Sequence, residues 1–130
     1  MRNGDRTVHG RRVTRDVSLA AVGDLLQSPP RGTVAFTHDG AVDVLPARAR
    51  CGPDTYAFGV ARDAAVDLEH REVVLVIDAG SSSWFELRGL SVRGIAVRIE
   101  PPTSERFGLT WYAIEPRRVL AWDYGALREE

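Results

Sequence analysis

Lysine is absent from this chain. All 17 basic residues among its 130 are arginines. With no amine side chain to condense with a carbonyl substrate, Schiff-base catalysis through lysine is excluded. Cysteine occurs once, as Cys51, so neither an intramolecular disulfide nor a cysteine metal cluster can form. That suits a reducing compartment. Neither charge sign is in excess: 17 basic against 18 acidic residues leave a formal net charge of -1. Nucleic-acid binders carry a basic surplus or stripe, so no nucleic-acid partner is expected. Long apolar runs are missing as well. None approaches the roughly 18 residues of a spanning helix, and the arginine-rich start lacks the apolar stretch of a secretion signal. The expectation is a soluble, cytoplasmic protein with no membrane association. His9, His38 and His70 are scattered, with no pair at metal-ligand spacing, so no metal is expected. Cys51 has no sequence neighbour that would serve as its base, and Ser82 lacks a Gly-x-Ser-x-Gly frame.

What is present is ordinary for a globular domain. Hydrophobic residues make up 44% and charged residues 27%, and the length suits a single domain. Residues 1–15 hold many charges and few apolar groups, which predicts a flexible N-terminal arm before one domain over 16–130. Asp16 or Ser18 caps an expected helix, with Leu19, Val22 and Leu26 on one face, that ends before Pro29. From Thr33 the period changes to two, the mark of a strand. His38-Asp39-Gly40 reads as a hairpin turn, Val42 to Ala49 as the returning strand and Thr55 to Val60 as a third. A short helix is expected from about Asp63 to His70. Val73 to Ile77 reads as a strand buried on both faces. Between Phe85 and Glu100 the apolar parity switches at Gly89 and again at Gly94, which predicts one long strand bent by two bulges. Thr110 to Asp123 reads as one or two strands broken at Pro116. The count is six strands with two or three short helices, mainly β and antiparallel. Closure into a barrel is favoured because it removes exposed edges.

In this order, the local strings resemble those of the pyridoxamine 5'-phosphate oxidase-like split β-barrels, Greek-key barrels that bind FMN or the deazaflavin F420. The opening hairpin from Gly32 to Pro46 is similar to that family's first two strands. Thr55 to Asp78 is similar to its strand, phosphate-binding turn and following strand. Glu86 to Gly94 resembles its bent strand, and Arg118 to Gly125 its closing strand. The resemblance spans roughly Leu19 to Leu127. It implies a homodimer whose flavin lies in a cleft between subunits, with hydride chemistry carried by the cofactor on a small-molecule substrate.

The same resemblance locates the cofactor site. The family pattern is a hydroxyl residue, then Arg-x-Lys, then Asn-Leu. Arg62 and Leu68 match it, whereas Gly59, Ala64 and Asp67 stand where the hydroxyl residue, the lysine and the asparagine belong. Losing one charge-assisted phosphate contact costs about 1.5–3 kcal/mol. Arg48 and Arg50, two residues apart on one strand face, are the candidates to compensate. The candidate cofactor-binding set is therefore Arg48, Arg50, Gly59, Val60, Arg62, Trp84 and Trp122, the tryptophans as rings that stack on a flavin. For each tryptophan, Trp111 included, the competing role is core or interface packing. Arg88, Arg93 and Arg98 follow the polar parity and read most simply as an outward face, the alternative being a role at the dimer interface or against a ligand. Two functions follow: an FMN- or F420-dependent oxidoreductase, or a cofactor-free dimeric binding protein that keeps the barrel.

Overall fold

The computed structural model describes residues 16–18, 23, 32–52, 54–64, 66–78, 88–102 and 108–123. Among the described residues seven strands appear: β1 (Asp16–Val17), β2 (Gly32–His38), β3 (Ala41–Cys51), β4 (Tyr56–Ala61), β5 (Glu72–Asp78), β6 (Arg88–Ile99) and β7 (Leu109–Asp123). The sheet order is β1-β7-β4-β3-β2-β5-β6, and β6 pairs back onto β7, so β2 to β7 close as a six-stranded antiparallel barrel. Strands β2, β3 and β4 follow one another by hairpin, and β5 returns to lie beside β2, which is a Greek key. Among the described residues no helix is long and apolar enough to cross a membrane.

The local chemistry explains the first hairpin. His38 pairs with Ala41, leaving Asp39 and Gly40 as a two-residue loop. Both take positive φ, 53° and 79°, the geometry that matches the strand twist. Along β2, Val34 and Phe36 point inward while Thr33 and Thr37 face out. The interior is filled by Val34, Phe58, Leu75, Ile77, Leu90 and Val92, each at most 1% exposed. Phe58 stacks on Tyr112 with centroids 5.4 Å apart. Leu68 enters from the β4–β5 connection and is fully buried. Its N–H donates to the Tyr112 hydroxyl at 3.2 Å, which anchors that connection to the barrel.

Several expectations are corrected. The helix over Asp63 to His70 is reduced to a 3-10 turn at Arg62–Ala64. Beyond it, backbone is held by tertiary bonds: His70 N–H donates to the Ala96 carbonyl at 2.7 Å. Asp16 is not a helix cap, because it pairs with Trp122 in β1. The expected helix over 19–28 lies outside the described residues apart from Gly23, which is helical. Strand β5 is not buried equally on both faces. Val73, Leu75 and Ile77 are interior, whereas Val74 and Val76 are half-buried on the outside.

The parity switch is real but sits on the neighbouring strand. In β6 Leu90, Val92, Gly94 and Ala96 keep one continuous parity toward the core. Gly89 pairs in register with Asp78 and Trp122. The single register shift lies between Arg93 and Gly94, whose partners are Arg118 and Pro116, so Arg117 of β7 is the extra residue. Inward residues of β7 accordingly change from Tyr112 and Ile114 to Val119 and Ala121. Proline has no N–H to give to a ladder and is tolerated at bulges, which places the irregularity at Pro116. Strand β7 then runs unbroken through it. Gly94 is needed for a different reason: a Cβ there would lie 2.0 Å from the Glu115 carbonyl oxygen. The outer residues Ile95, Val97 and Ile99, read as a second core-facing set, belong to a half-buried outer face.

The ring of strand pairings closes, but parts of two strands are paired on one side only among the described residues. Among the described residues, 41–47 of β3 pair only with β2. Residues 114–120 of β7 pair only with β6 among the described residues. These two stretches leave the barrel split.

Candidate functional site

The outer face over the β3-β4-β7-β6 section carries the site. Cross-strand partners share a face, so the registers define rows. One row runs Arg48, Gly59, Trp111, Ile99. The next runs Arg50, Ala57, Ala113, Val97. Small residues on β4 leave a low floor, and the Trp111 indole lies across it. A Cβ on Gly59 would lie 2.7 Å from Trp111 Cε2, so the ring occupies the space of a side chain at position 59. Trp111 is 1% exposed yet stands apart from the interior cluster. Its Nε1 is buried with no acceptor among the described residues. An unmet buried donor costs about 1–3 kcal/mol, which an approaching acceptor would recover.

Beside this ring an open cleft of about 400 Å³ is bordered by Arg62 and Arg98, with Thr110 and Trp111 in its wall. Ile99, Pro101 and Leu109 supply its apolar side. Arg62 reaches it from the 3-10 turn after β4, and that turn is fixed by the Arg62 N–H donating to the Gly108 carbonyl at 3.0 Å. Arg98 comes from the end of β6, its guanidinium 6.0 Å from the centre of the Tyr112 ring.

The sequence-predicted residues fall in different places. Arg62 borders the cleft, and Gly59 lies beneath its tryptophan. Arg48 and Arg50 share the outer face as expected, are exposed, and each has an interaction partner in the chain. Val60 is 2% exposed and its side chain belongs to the core. Trp122 lies near the far end of β7, over Gly89, whose Cβ would lie 2.6 Å from Cζ2. Eleven residues of extended chain, about 35 Å, separate it from Trp111. Trp84 lies outside the described residues. The sequence reads Arg98 most simply as outward-facing and sets stacking on a flavin against packing for Trp111, while Thr110 carries no signal there. Trp111 faces Gly59 and Trp122 faces Gly89 across the ladder, pairings set by the register of distant strands.

Asp67 does not border the cleft. Its Oδ1 accepts the Glu69 N–H at 3.0 Å and the Tyr112 hydroxyl at 3.4 Å. The Glu69 hydrogen bond, aided by the Arg98 charge, holds its carboxyl below the ordinary value. Burial pushes the Cys51 thiol up to about 11 against a smaller opposing effect of the Ala57 backbone, which leaves it a poor nucleophile.

Comparison with solved structures settles the architecture. The chain matches the FAD binding protein of Mycobacterium smegmatis with a TM-score of 0.64 and 17% identity, over 82% of this chain and 95% of that one. The chain has the split-barrel fold. A proposed pyridoxamine 5'-phosphate oxidase of Corynebacterium glutamicum is similar at a TM-score of 0.61 and 14% identity, over 84% and 96% of the two split barrels. General Stress Protein 26 of Bacillus anthracis matches at 0.61 and 12% identity, over 79% and 92%. Neither a family model nor a curated protein matches the sequence.

Proposed function

We propose that this split barrel binds a phosphate-bearing flavin-type cofactor, FMN or F420, against the outer face of β4 and β7, and works as an oxidoreductase on a small molecule. The observation that carries the reading is the cleft at Arg62, where two guanidiniums, those of Arg62 and Arg98, border one opening beside Thr110 and Trp111. Those donors fit a phosphate. The apolar side formed by Ile99, Pro101 and Leu109 fits the body of a ring system. A bound flavin would supply the hydride chemistry, and this chain's residues would hold and orient it. Arg62 would grip the anion, and Trp111 with the apolar side would exclude water from part of the cleft.

The same face supports a homodimer. Ile95, Val97 and Ile99 are half-buried outer residues of β6, and Val42 and Val44 on β3 are 72% and 61% exposed. A second copy would cover such a surface. The structural neighbours include a protein named for FAD binding and one proposed as a pyridoxamine 5'-phosphate oxidase, which favours a flavin.

One observation favours a cofactor-free barrel instead: the indole fills the space of the hydroxyl side chain that the resemblance places at Gly59. Titration of the purified protein with FMN and with F420, followed by absorbance and fluorescence, decides between the two. Saturable binding in the micromolar range supports the flavin reading. Dissociation constants above about a millimolar for both leave the cofactor-free barrel.

A further inference from the structure

The missing lysine leaves a question of charge. Ala64 ends the 3-10 turn without a polar group, and a phosphate held by Arg62 alone would keep much of its charge uncompensated. The fold brings a second cation from elsewhere. Gly94, Ala96 and Arg98 share one parity on β6, and the first two are buried. Arg98 is the next position of that parity, where the strand leaves the core, so its side chain passes the Tyr112 ring and lines the same cleft as Arg62. Among the described residues no carboxylate lies within ion-pair distance of either guanidinium. Asp67 attracts Arg98 only at longer range, since its Oδ1 is taken by the Glu69 N–H and the Tyr112 hydroxyl. The backbone of Arg98 is itself fixed, its N–H donating to Glu69 Oε2 at 3.3 Å. Thr110 and Trp111 line the same cleft.

We propose that Arg98 is a ligand-binding residue that takes the lysine's place, closing with Arg62 on the phosphate of the cofactor. The assignment rests on the flavin reading above and adds a residue from a different strand, about 36 positions further along the chain than Arg62. Arginine suits this position because its planar fork donates two parallel bonds to phosphate oxygens. Arg98 thus discriminates flavins by their phosphate and leaves ring recognition unchanged.

The test compares FMN with riboflavin, which lacks the phosphate, on wild type, Arg98→Gln and Arg98→Lys. Wild type is expected to prefer FMN. Arg98→Gln should raise the FMN dissociation constant about ten- to a hundredfold and leave that for riboflavin within about twofold, and Arg98→Lys should recover part of the loss. If wild type binds FMN and Arg98→Gln binds it equally well, Arg98 has no such role and the flavin reading survives. If wild type binds neither flavin, that reading falls, and inorganic pyrophosphate then judges the residue. A rise in the melting temperature of wild type at millimolar pyrophosphate that Arg98→Gln lacks keeps the anion site. No rise in either overturns it. Arg98 is exposed, so an unchanged far-ultraviolet spectrum is expected for each variant.

Discussion

Gly59→Ala is the most informative single perturbation of this barrel. The new methyl would sit 2.7 Å from Trp111 Cε2 and 3.0 Å from two further indole atoms, closer than nonbonded carbons approach. Gly59 is buried, and its strand is pinned to β3 on one side and β7 on the other, so the backbone has little room to retreat. The ring must move, and overpacking of this kind costs about 1–3 kcal/mol. For a domain of this size each kcal/mol lowers the melting temperature by about 3–5 °C. Trp111→Leu alone loses buried aromatic contact and costs about 2–4 kcal/mol. It also frees the space over position 59. In the double variant the methyl should therefore be harmless, with Gly59→Ala costing less than about 0.5 kcal/mol on the Trp111→Leu background. A urea-denaturation double-mutant cycle reads the coupling directly, expected above about 1 kcal/mol. Strictly additive costs would refute the idea that the indole occupies the missing side chain's space. Equal flavin affinity in wild type and Gly59→Ala would separately show that displacing this ring does not disturb the cleft.

Four other outcomes are expected. Gly94→Ala should be costlier than Gly59→Ala, above about 3 kcal/mol, because the obstacle is the Glu115 backbone rather than a side chain, and no second substitution should rescue it in thermal melts. Gly40→Ala meets nothing within 4 Å, so only its φ of 79° is penalised, and a loss of about 1 kcal/mol is expected. Tyr112→Phe leaves the Leu68 N–H without its 3.2 Å acceptor and should cost about 1–3 kcal/mol by urea unfolding. Asp67 titrates below its ordinary value when folded, so its contribution is complete at neutral pH and disappears as pH falls through that lowered value; the acid limb of stability below about pH 4 should be shallower in Asp67→Asn.

Cys51 offers a probe of local opening. With its thiol near 11, the folded protein should react with iodoacetamide at pH 8 about a hundredfold more slowly than an unburied cysteine, and denaturant should abolish the difference. A fast reaction in buffer would contradict the burial of the β3 end.

Much of the barrel was legible in the sequence because period-two patterning and turn chemistry are local. Val34 and Phe36 with Asp39-Gly40 specify a hairpin without reference to anything distant. Misreadings occur where the outer surface is also apolar. Ile95, Val97 and Ile99 imitate a core set, so a slip was assigned to Gly94, when the slip belongs to Pro116 and Arg117 on the strand beside it. The helix over Asp63 to His70 failed for a related reason: Leu68 is drawn into the barrel by the Tyr112 hydroxyl 44 positions away, a pull that no local propensity reveals. The site followed the same division. Arg62 came from a contiguous motif, whereas Arg98 and Trp111 reach the cleft only through pairings of β4, β6 and β7.

The split in the wall also bears on solubility. In the β2–β3 hairpin, bonded and non-bonded pairs alternate from His38–Ala41 onward, so the backbone groups of Val42, Val44 and position 46 point to the side where β3 has no strand neighbour among the described residues. Such a margin invites a strand from another molecule to zip on. Proline at 46 removes one donor from that margin, and proline at 116 removes one from the facing strand at its bulge. Each acts as a gatekeeper. Exchanging both for threonine would leave two adhesive rims around one gap, and the chain would then tend to assemble through its backbone, indifferent to what its cleft holds.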